Sequence, residues 1–393
     1  MSERLIFHID VNSAYLSWSA AEKLKQGSGT DLRDIPSIIG GDMASRHGVV
    51  LAKSIPAKPY GISTGEPVAH ALQKCPGLVL EPPDHKLYAS YSSRLMELLM
   101  DFCPRIEQVS IDECYMDFTE YRHRYASPVA AARQIKDTVK DMLGFTVNIG
   151  VSSNKLLAKM ASDFQKPDKV HTLFQQEIAT KMWPLPVREL FMVGRASAAT
   201  LEKLEILTIG DLAHANPKIL ESHMKKHGRL IWEFANGIDD SPVQTEESER
   251  KGIGNRTTLK QNAETSEDAK RALHDLCAQV SARLRKHGQY AGMVSTEIRY
   301  ASFTEVSHQM QLEASTADAE TLFRHACLLF DELWNGEPIR LLGVRTSKLT
   351  DTPKPVQMNL FDLPQTQKEL QADKAAESLR AKFGKDIIRK GVG

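Results

Sequence analysis

The chain has 393 residues, 41% of them apolar, a length that predicts two to four domains with material for several packed cores. Fifty basic and fifty acidic residues cancel to a formal charge of zero, so no partner is held by the overall charge alone and any phosphate-binding surface must come from local clusters. No apolar run reaches membrane-spanning length, the N-terminal residues lack the form of a secretory leader, and the five cysteines (Cys75, Cys103, Cys114, Cys277, Cys327) offer neither a CxxC zinc pair nor an even disulfide framework. A cytoplasmic protein without membrane contact is expected.

Along the chain, RLIFHID at 4–10 reads as a strand buried on both faces, with Asp10 at its carboxyl end. A helix is predicted over Ala14 to Lys25, capped by Ser13 and ended by Gly27 to Gly29. Residues 37–83 alternate strand signals (PSIIGG, GVVLAKS) with Pro and Gly, the mark of a small, loop-rich insertion. Helical periodicity follows from His85 to Phe102.

VSIDECYMDF at 109–118 is two strand-forming runs, Val109-Ser110-Ile111 and Cys114 to Phe118, interrupted by Asp112 and Glu113. This predicts a hairpin with both acids at or beside its tip, because neighbouring side chains on a straight strand point to opposite faces and only a turn lets them converge. A helix over Pro128 to Leu143, a strand FTVNIGVS at 145–152 and a helix at 154–164 complete a first α/β unit, whose sheet must hold both the strand at residue 5 and the hairpin at residue 112.

Residues 184–237 read as short helices with tight turns at Gly194 and Gly210, and the polar, acidic 238–252 as an interdomain linker. Strands at 292–302 and 340–349 and helices at 266–287 and 318–334 predict an α+β domain. A Pro-flanked tail carries PVQMNLFDLP at 355–364 and then a helix over Thr366 to Phe383; there are no internal repeats. The fold class expected is mixed α/β, multidomain.

Three carboxylates, Asp10, Asp112 and Glu113, are the candidate chemistry, since an uncompensated acid cluster repels itself by several kcal/mol at low effective dielectric and a divalent cation removes that cost. Oxygen-only ligands favour Mg2+, which completes its shell with water and substrate phosphates. Two such ions would suit nucleotidyl transfer. Lys155, Lys159 and Lys166, in SSNKLLAKMASDFQKPDK at 152–169, are placed to supply cations to a phosphate.

At this point the chain resembles the Y-family of translesion DNA polymerases, in its bacterial polymerase IV branch. HIDVNSAYLSWSA at 8–20, GVVLAKSIPAKPYGI at 48–62, VSIDECYMDF at 109–118, VNIGVSSNKLLAKMASDFQKPDK at 147–169 and LPVRELFMVGRASAATLEKLEILTIGDLA at 185–213 follow the family's blocks in order. The resemblance implies a right-hand polymerase: a palm from 1–13 and 83–171, fingers from 14–82, a helix-hairpin-helix thumb from 172–240, a linker at 241–252, an α+β little finger at 253–349 and a tail from 350–393. It implies low-fidelity, template-directed addition of dNTPs to a primer, without proofreading, by a monomer acting in DNA damage tolerance.

Carried over residue by residue, the resemblance gives Asp10, Asp112 and Glu113, with the Val11 carbonyl, as ligands of two Mg2+ ions, with Mn2+ able to substitute. The backbone N–H groups of Ser13 and Ala14 and the side chain of Lys166 would meet the triphosphate, and Tyr15 would stand as the steric gate against ribonucleotides. Gly194, Arg195 and Ser197 in the thumb and Arg256 in the little finger would contact primer–template DNA. The finger block departs from the branch, which commonly places Tyr and Arg on the triphosphate where Ile55 and Lys58 stand here; Lys58, with Lys53 or Ser54, is expected to substitute. In the tail, QMNLFD at 357–362 is similar to the peptide that docks polymerases on the sliding clamp, with Leu360 and Phe361 filling a pocket and Gln357 at its rim. A palm-type nucleotide cyclase and a catalytically weakened DNA-binding relative are the rival readings.

Overall fold

A computed structural model describes residues 4–42, 48–246 and 249–352. The chain divides into two compact units, 1–248 and 249–393. The first runs β1 (Ile6–Val11), α1 (Ala14–Lys25), β2 (Ser37–Gly40), β3 (Val50–Lys53), α2 (Val68–Lys74), β4 (Val79–Glu81), α3 (His85–Phe102), β5 (Ile106–Gln108), β6 (Glu113–Asp117), α4 (Pro128–Leu143), β7 (Val147–Ser152), α5 (Lys155–Asp163) and β8 (Val170–Thr172). Its main sheet has the order β5-β6-β1-β7-β8, so the two segments expected to share a sheet are direct neighbours. The expected insertion is a separate sheet, β3-β2-β4, with its own small core of Ile38, Val50, Ala57, Ile62 and Val68.

β1 is central because IFHIDV is buried along nearly its whole length and pairs antiparallel on both sides. Its period of two sorts side chains between faces. Phe7, Ile9 and Val11, with Cys114, Met116 and Ile149, pack on Trp18, Tyr88, Tyr91, Leu95 and Ile135 of α1, α3 and α4. Full burial of each large apolar side chain contributes about 1.5–3 kcal/mol, which makes this the principal core of the unit. The opposite face carries Ile6, His8 and Asp10 and is covered by α5, where Ile6 and Tyr115 meet Ala158. Gly150 on β7 allows that helix to approach: a Cβ there would lie 1.9 Å from the Ala158 carbonyl oxygen.

Three local expectations are corrected. Val109-Ser110-Ile111 is not a strand; pairing ends at Gln108, and the N–H groups of Val109 and Ser110 both donate to the Glu113 carbonyl, tightening the turn. Ser13 occupies the cap position of α1 but makes no side-chain capping bond, because its backbone is left-handed (φ 48°). Gly210 lies within a helix instead of forming a turn.

That helix belongs to an all-helical part with α6 (Ile178–Lys181), α7 (Arg195–Lys203), α8 (Ile209–His214), α9 (Pro217–Met224) and α10 (Lys226–Ala235), around Leu201, Ile209, Leu212, Leu220 and Ile231. Gly210 donates to the Trp183 carbonyl (3.0 Å). The start of the expected linker is also docked. The Gly237 carbonyl accepts from Asn154 Nδ2, Asp239 accepts from the Leu156 N–H at the start of α5, Gln244 N–H donates to Glu107, and Val243 is buried against Ile6 and Tyr115.

The second unit contains β9 (Gly252–Ala263), α11 (Ser266–Lys286), β10 (Tyr290–Tyr300), β11 (Glu305–Thr316), α12 (Ala319–Leu333) and β12 (Ile339–Thr350). Its antiparallel sheet has the order β11-β10-β12-β9 and packs Val294, Ile298, Leu342 and Val344 against Leu273, Val280, Leu329 and Phe330 of the two helices. The expected tail helix and the QMNLFD segment lie outside the described residues.

Candidate active site

The register of β1 on β6 sets Asp10 directly across from Glu113. Asp112 occupies the adjoining turn, and its carbonyl accepts from the Val11 N–H (3.0 Å), locking the end of β1 to the hairpin. Like charges opposite each other on neighbouring strands are unfavourable unless a cation lies between them. Here the cations are lysines. Lys159, on α5, places Nζ 2.8 Å from Glu113 Oε2 and 3.6 Å from Asp10 Oδ2, while Lys166 places Nζ 2.7 Å from Asp10 Oδ1 and 2.9 Å from Asp163.

Behind the acids lies His8, fully buried, with Nδ1 2.8 Å from Ser162 Oγ and Nε2 3.3 Å from Glu113 Oε2. Burial lowers the His8 pKa below its usual 6.5, so the ring is neutral at physiological pH. The contact with His8, followed by the hydrogen bond and charge of Lys159, outweighs burial and pulls the Glu113 carboxyl down to about 2. Burial by itself would lower Lys159 and Lys166, but the surrounding carboxylates more than offset it and raise both. Glu113, Lys159 and Lys166 are therefore charged at neutral pH.

Asp112 stands slightly apart, its Oδ1 accepting from Ser110 Oγ (2.6 Å). Among the described residues no three acid, histidine or cysteine side chains converge as a ready-made metal cage. The donor set nevertheless suits a hard divalent cation: it is all carboxylate oxygen, and Lys159 shows that one positive centre can touch Asp10 and Glu113 together. Asp10, Asp112, Glu113 and Asp163 outnumber the two ammonium groups, leaving the site electronegative.

The other expected residues fall into groups. Ser13 and Ala14 begin α1 immediately after β1, and first-turn N–H groups have no partner within a helix. Tyr15 is half-buried and stacks on Tyr88 (4.4 Å between centroids, planes 8° apart), with His85 edge-on. Ser54, by contrast, is 1% exposed and its hydroxyl is committed, donating to the Ile35 carbonyl and accepting from the Ser37 and Ala57 N–H groups. Lys53 is likewise bonded to the Ile62 carbonyl. Lys58 is exposed, without an ion-pair partner among the described residues. No hydrogen bond or ion pair among those residues joins Ser54 or Lys58 to the acids.

Gly194 caps α7, followed by exposed Arg195 and by Ser197, whose hydroxyl is 3.2 Å from His227 Nε2. Arg256 belongs to the second unit, on β9, 3.3 Å from Glu297. Of the three lysines read as phosphate ligands, Lys155 is instead bound to both oxygens of Glu107 (2.7 Å) and lies over the Tyr115 ring.

Sequence reasoning missed His8, Asn12, Asn148 and Ser162. A histidine inside an apolar strand run was the available signal for His8, whereas the two asparagines and the serine are recognisable only once β1, β7 and α5 are adjacent.

With this geometry in place, comparison with known proteins defines the class. Residues 9–163 match the impB/mucB/samB family and residues 250–360 its C-terminal domain. The chain belongs to that family, and the Y-family resemblance read from its motifs is borne out. DNA polymerase IV of Clostridium acetobutylicum is 46% identical over 99% of this chain and 98% of that protein. DNA polymerase IV of Acetivibrio thermocellus is 34% identical over 99% and 97%, and DNA polymerase IV 1 of Bacillus subtilis 33% over 99% and 93%. A solved Y-family DNA polymerase chimera, Dbh-Dpo4(243-245)-Dbh, has the same fold, with a TM-score of 0.79 over 88% of this chain and all of that one at 21% identity.

Proposed function

We infer that the chain is a DNA-directed DNA polymerase of the translesion class, and we propose that it extends primers by two-metal nucleotidyl transfer at Asp10, Asp112 and Glu113. The observation that carries the reading is the cross-strand pairing of Asp10 with Glu113 around a shared cation site, with Asp112 in the adjoining turn. Those three carboxylates and the Val11 carbonyl would hold two Mg2+ ions, or Mn2+ in their place. Bound there, such ions would supply activation of the primer hydroxyl and neutralisation of charge on the triphosphate.

The chain's own residues divide the remaining work. Lys166 and the N–H groups of Ser13 and Ala14 meet the triphosphate, and Lys58 takes the position of the branch's usual arginine as a point charge without a bidentate grip. Ser54 is supported less than the others, since its hydroxyl is already satisfied. Tyr15, fixed by its stack on Tyr88, lies under the incoming sugar and excludes a 2′-hydroxyl.

The five-stranded sheet and its helices correspond to the palm, the three-stranded sheet to the fingers, the α6 to α10 region to the thumb and the second unit to the little finger. Gly194, Arg195, Ser197 and Arg256 contact primer–template DNA. The tail docks on the sliding clamp through Gln357, Leu360 and Phe361, which raises the effective concentration of a protein with no net charge on DNA. Among the described residues no helix is long and apolar enough to cross a membrane. A primer–template duplex with Mg2+ and dNTPs tests the activity: extension that follows the template supports it, and cyclic nucleotide formed without template contradicts it.

A further inference from the structure

Asp10 has one carboxylate oxygen on each of two lysines: Oδ1 is 2.7 Å from Lys166 Nζ and Oδ2 is 3.6 Å from Lys159 Nζ. The lysines are not equivalent. Lys159 projects from α5, is 15% exposed and is ringed by Glu113, Asp10 and Asp163. Lys166 is 34% exposed, lies in the loop beyond α5 and, among the described residues, pairs with Asp10 and Asp163.

The loop that carries Lys166 is pinned on both sides. Asn148 Nδ2 donates to the Gln165 carbonyl (2.7 Å), the Asp168 N–H donates to Asn12 Oδ1 (2.7 Å), and the Asp168 carboxylate is held by Lys136 (2.8 Å) and Lys140 (3.3 Å). The Lys169 N–H completes the clasp on Asn148 Oδ1 (3.2 Å). A four-carbon stem on so fixed a base can trade one anion for another by changing rotamers alone, without moving the backbone.

We propose that Lys166 is an exchangeable counter-ion: before nucleotide arrives its ammonium occupies Asp10 and competes with divalent metal for that carboxylate, and it leaves Asp10 for the triphosphate when metal and nucleotide enter together. The proposal rests on the reading of Asp10, Asp112 and Glu113 as metal ligands. Metal entering alone leaves the ammonium only Asp163 and water, whereas metal entering with nucleotide gives it phosphate oxygens. Metal and nucleotide therefore strengthen each other's binding, and the linkage is reciprocal.

Mn2+ titration of the full chain without DNA, followed by the electron paramagnetic resonance signal of the free ion, tests this in wild type, Lys166→Met, Lys166→Arg and Asp10→Asn, each checked for folding by circular dichroism. Lys166→Met, similar in reach but uncharged, is expected to bind Mn2+ about tenfold more tightly than wild type, the scale set by losing one charge-assisted competitor. Lys166→Arg should stay close to wild type, and a non-hydrolysable dNTP should raise Mn2+ affinity more in wild type than in Lys166→Met. If Lys166→Met does not fold, Lys166→Gln replaces it. Equal affinity in wild type and the uncharged variant, with binding still lost in Asp10→Asn, overturns the exchange and leaves the metal reading standing. Mn2+ binding indifferent to Asp10→Asn overturns both.

Discussion

Asp10 on β1 and Glu113 on β6 are cross-strand partners, and the single ammonium of Lys159 touches both. Two carboxylates opposite each other would destabilise an ordinary sheet. The protein accepts that arrangement at one end of its main sheet, beside a turn carrying a third acid, and surrounds it with the ammonium groups of Lys159 and Lys166. Affinity for an added cation follows from this arrangement, and several consequences can be measured.

The position of Lys159 depends on how closely α5 approaches the sheet. Gly150→Ala would drive a methyl group into the Ala158 carbonyl and the Ser162 N–H, 1.9 and 2.6 Å away, so backbone must shift. The expected cost is about 3 kcal/mol in urea unfolding, with primer extension reduced in the protein that remains folded. Gly77→Ala, with nothing within 4 Å of the added carbon, should stay within about 0.5 kcal/mol of wild type.

Acid sensitivity should have two stages when metal is removed with EDTA. His8 is kept neutral by burial, below its usual 6.5, so the unfolded chain takes up a proton first and stability falls as pH drops through 6.5. Glu113, pulled from 4.5 to about 2 by His8 and Lys159, contributes stability that is present above about 4.5 and lost as pH falls toward 2. His8→Phe should flatten the upper stage and Glu113→Gln the lower. A wild-type unfolding free energy that does not change between pH 6.5 and 5 would contradict the neutral, buried state of His8.

Much of this was legible in the sequence, and the exceptions have physical causes. α1, α3 and α4 span the ranges their periodicity predicts, and α3 and α4 carry side-chain caps, Asp84 and Ser127, whereas Ser13 does not cap α1. β9 and β11 left no comparable trace. Each is a 12-residue, largely polar strand at an edge of the sheet with few buried residues, so no apolar alternation marks it. Asp10, Glu113 and Lys166 were found because an acid ending a buried strand, an acid pair between strand-forming runs and a lysine-rich stretch stand out, whereas the pinning of the Lys166 loop by Asn12 and Asn148 is visible only in the folded chain.

Among the described residues the Lys58 side chain has no ion-pair partner, whereas that of Lys53 is bonded to the Ile62 carbonyl. Lys58→Ala is expected to raise the apparent KM for dNTP by about tenfold in steady-state extension with little change in stability. An unchanged KM would remove Lys58 from the nucleotide site.

The gate has its own signature. Tyr15 is held flat against Tyr88, and if it is the proposed gate Tyr15→Ala should raise ribonucleotide use relative to deoxyribonucleotide by about a hundredfold. Sugar selectivity equal to that of wild type would place the gate elsewhere.

The most direct measurement is the single-turnover rate of primer extension by Asp112→Asn, a near-isosteric change that keeps the Ser110 contact within reach and removes only the charge. With DNA affinity and melting temperature retained, the rate should fall about a thousandfold or more. A folded, DNA-bound variant that extends primers within tenfold of wild type would contradict the assignment of these three carboxylates to catalysis.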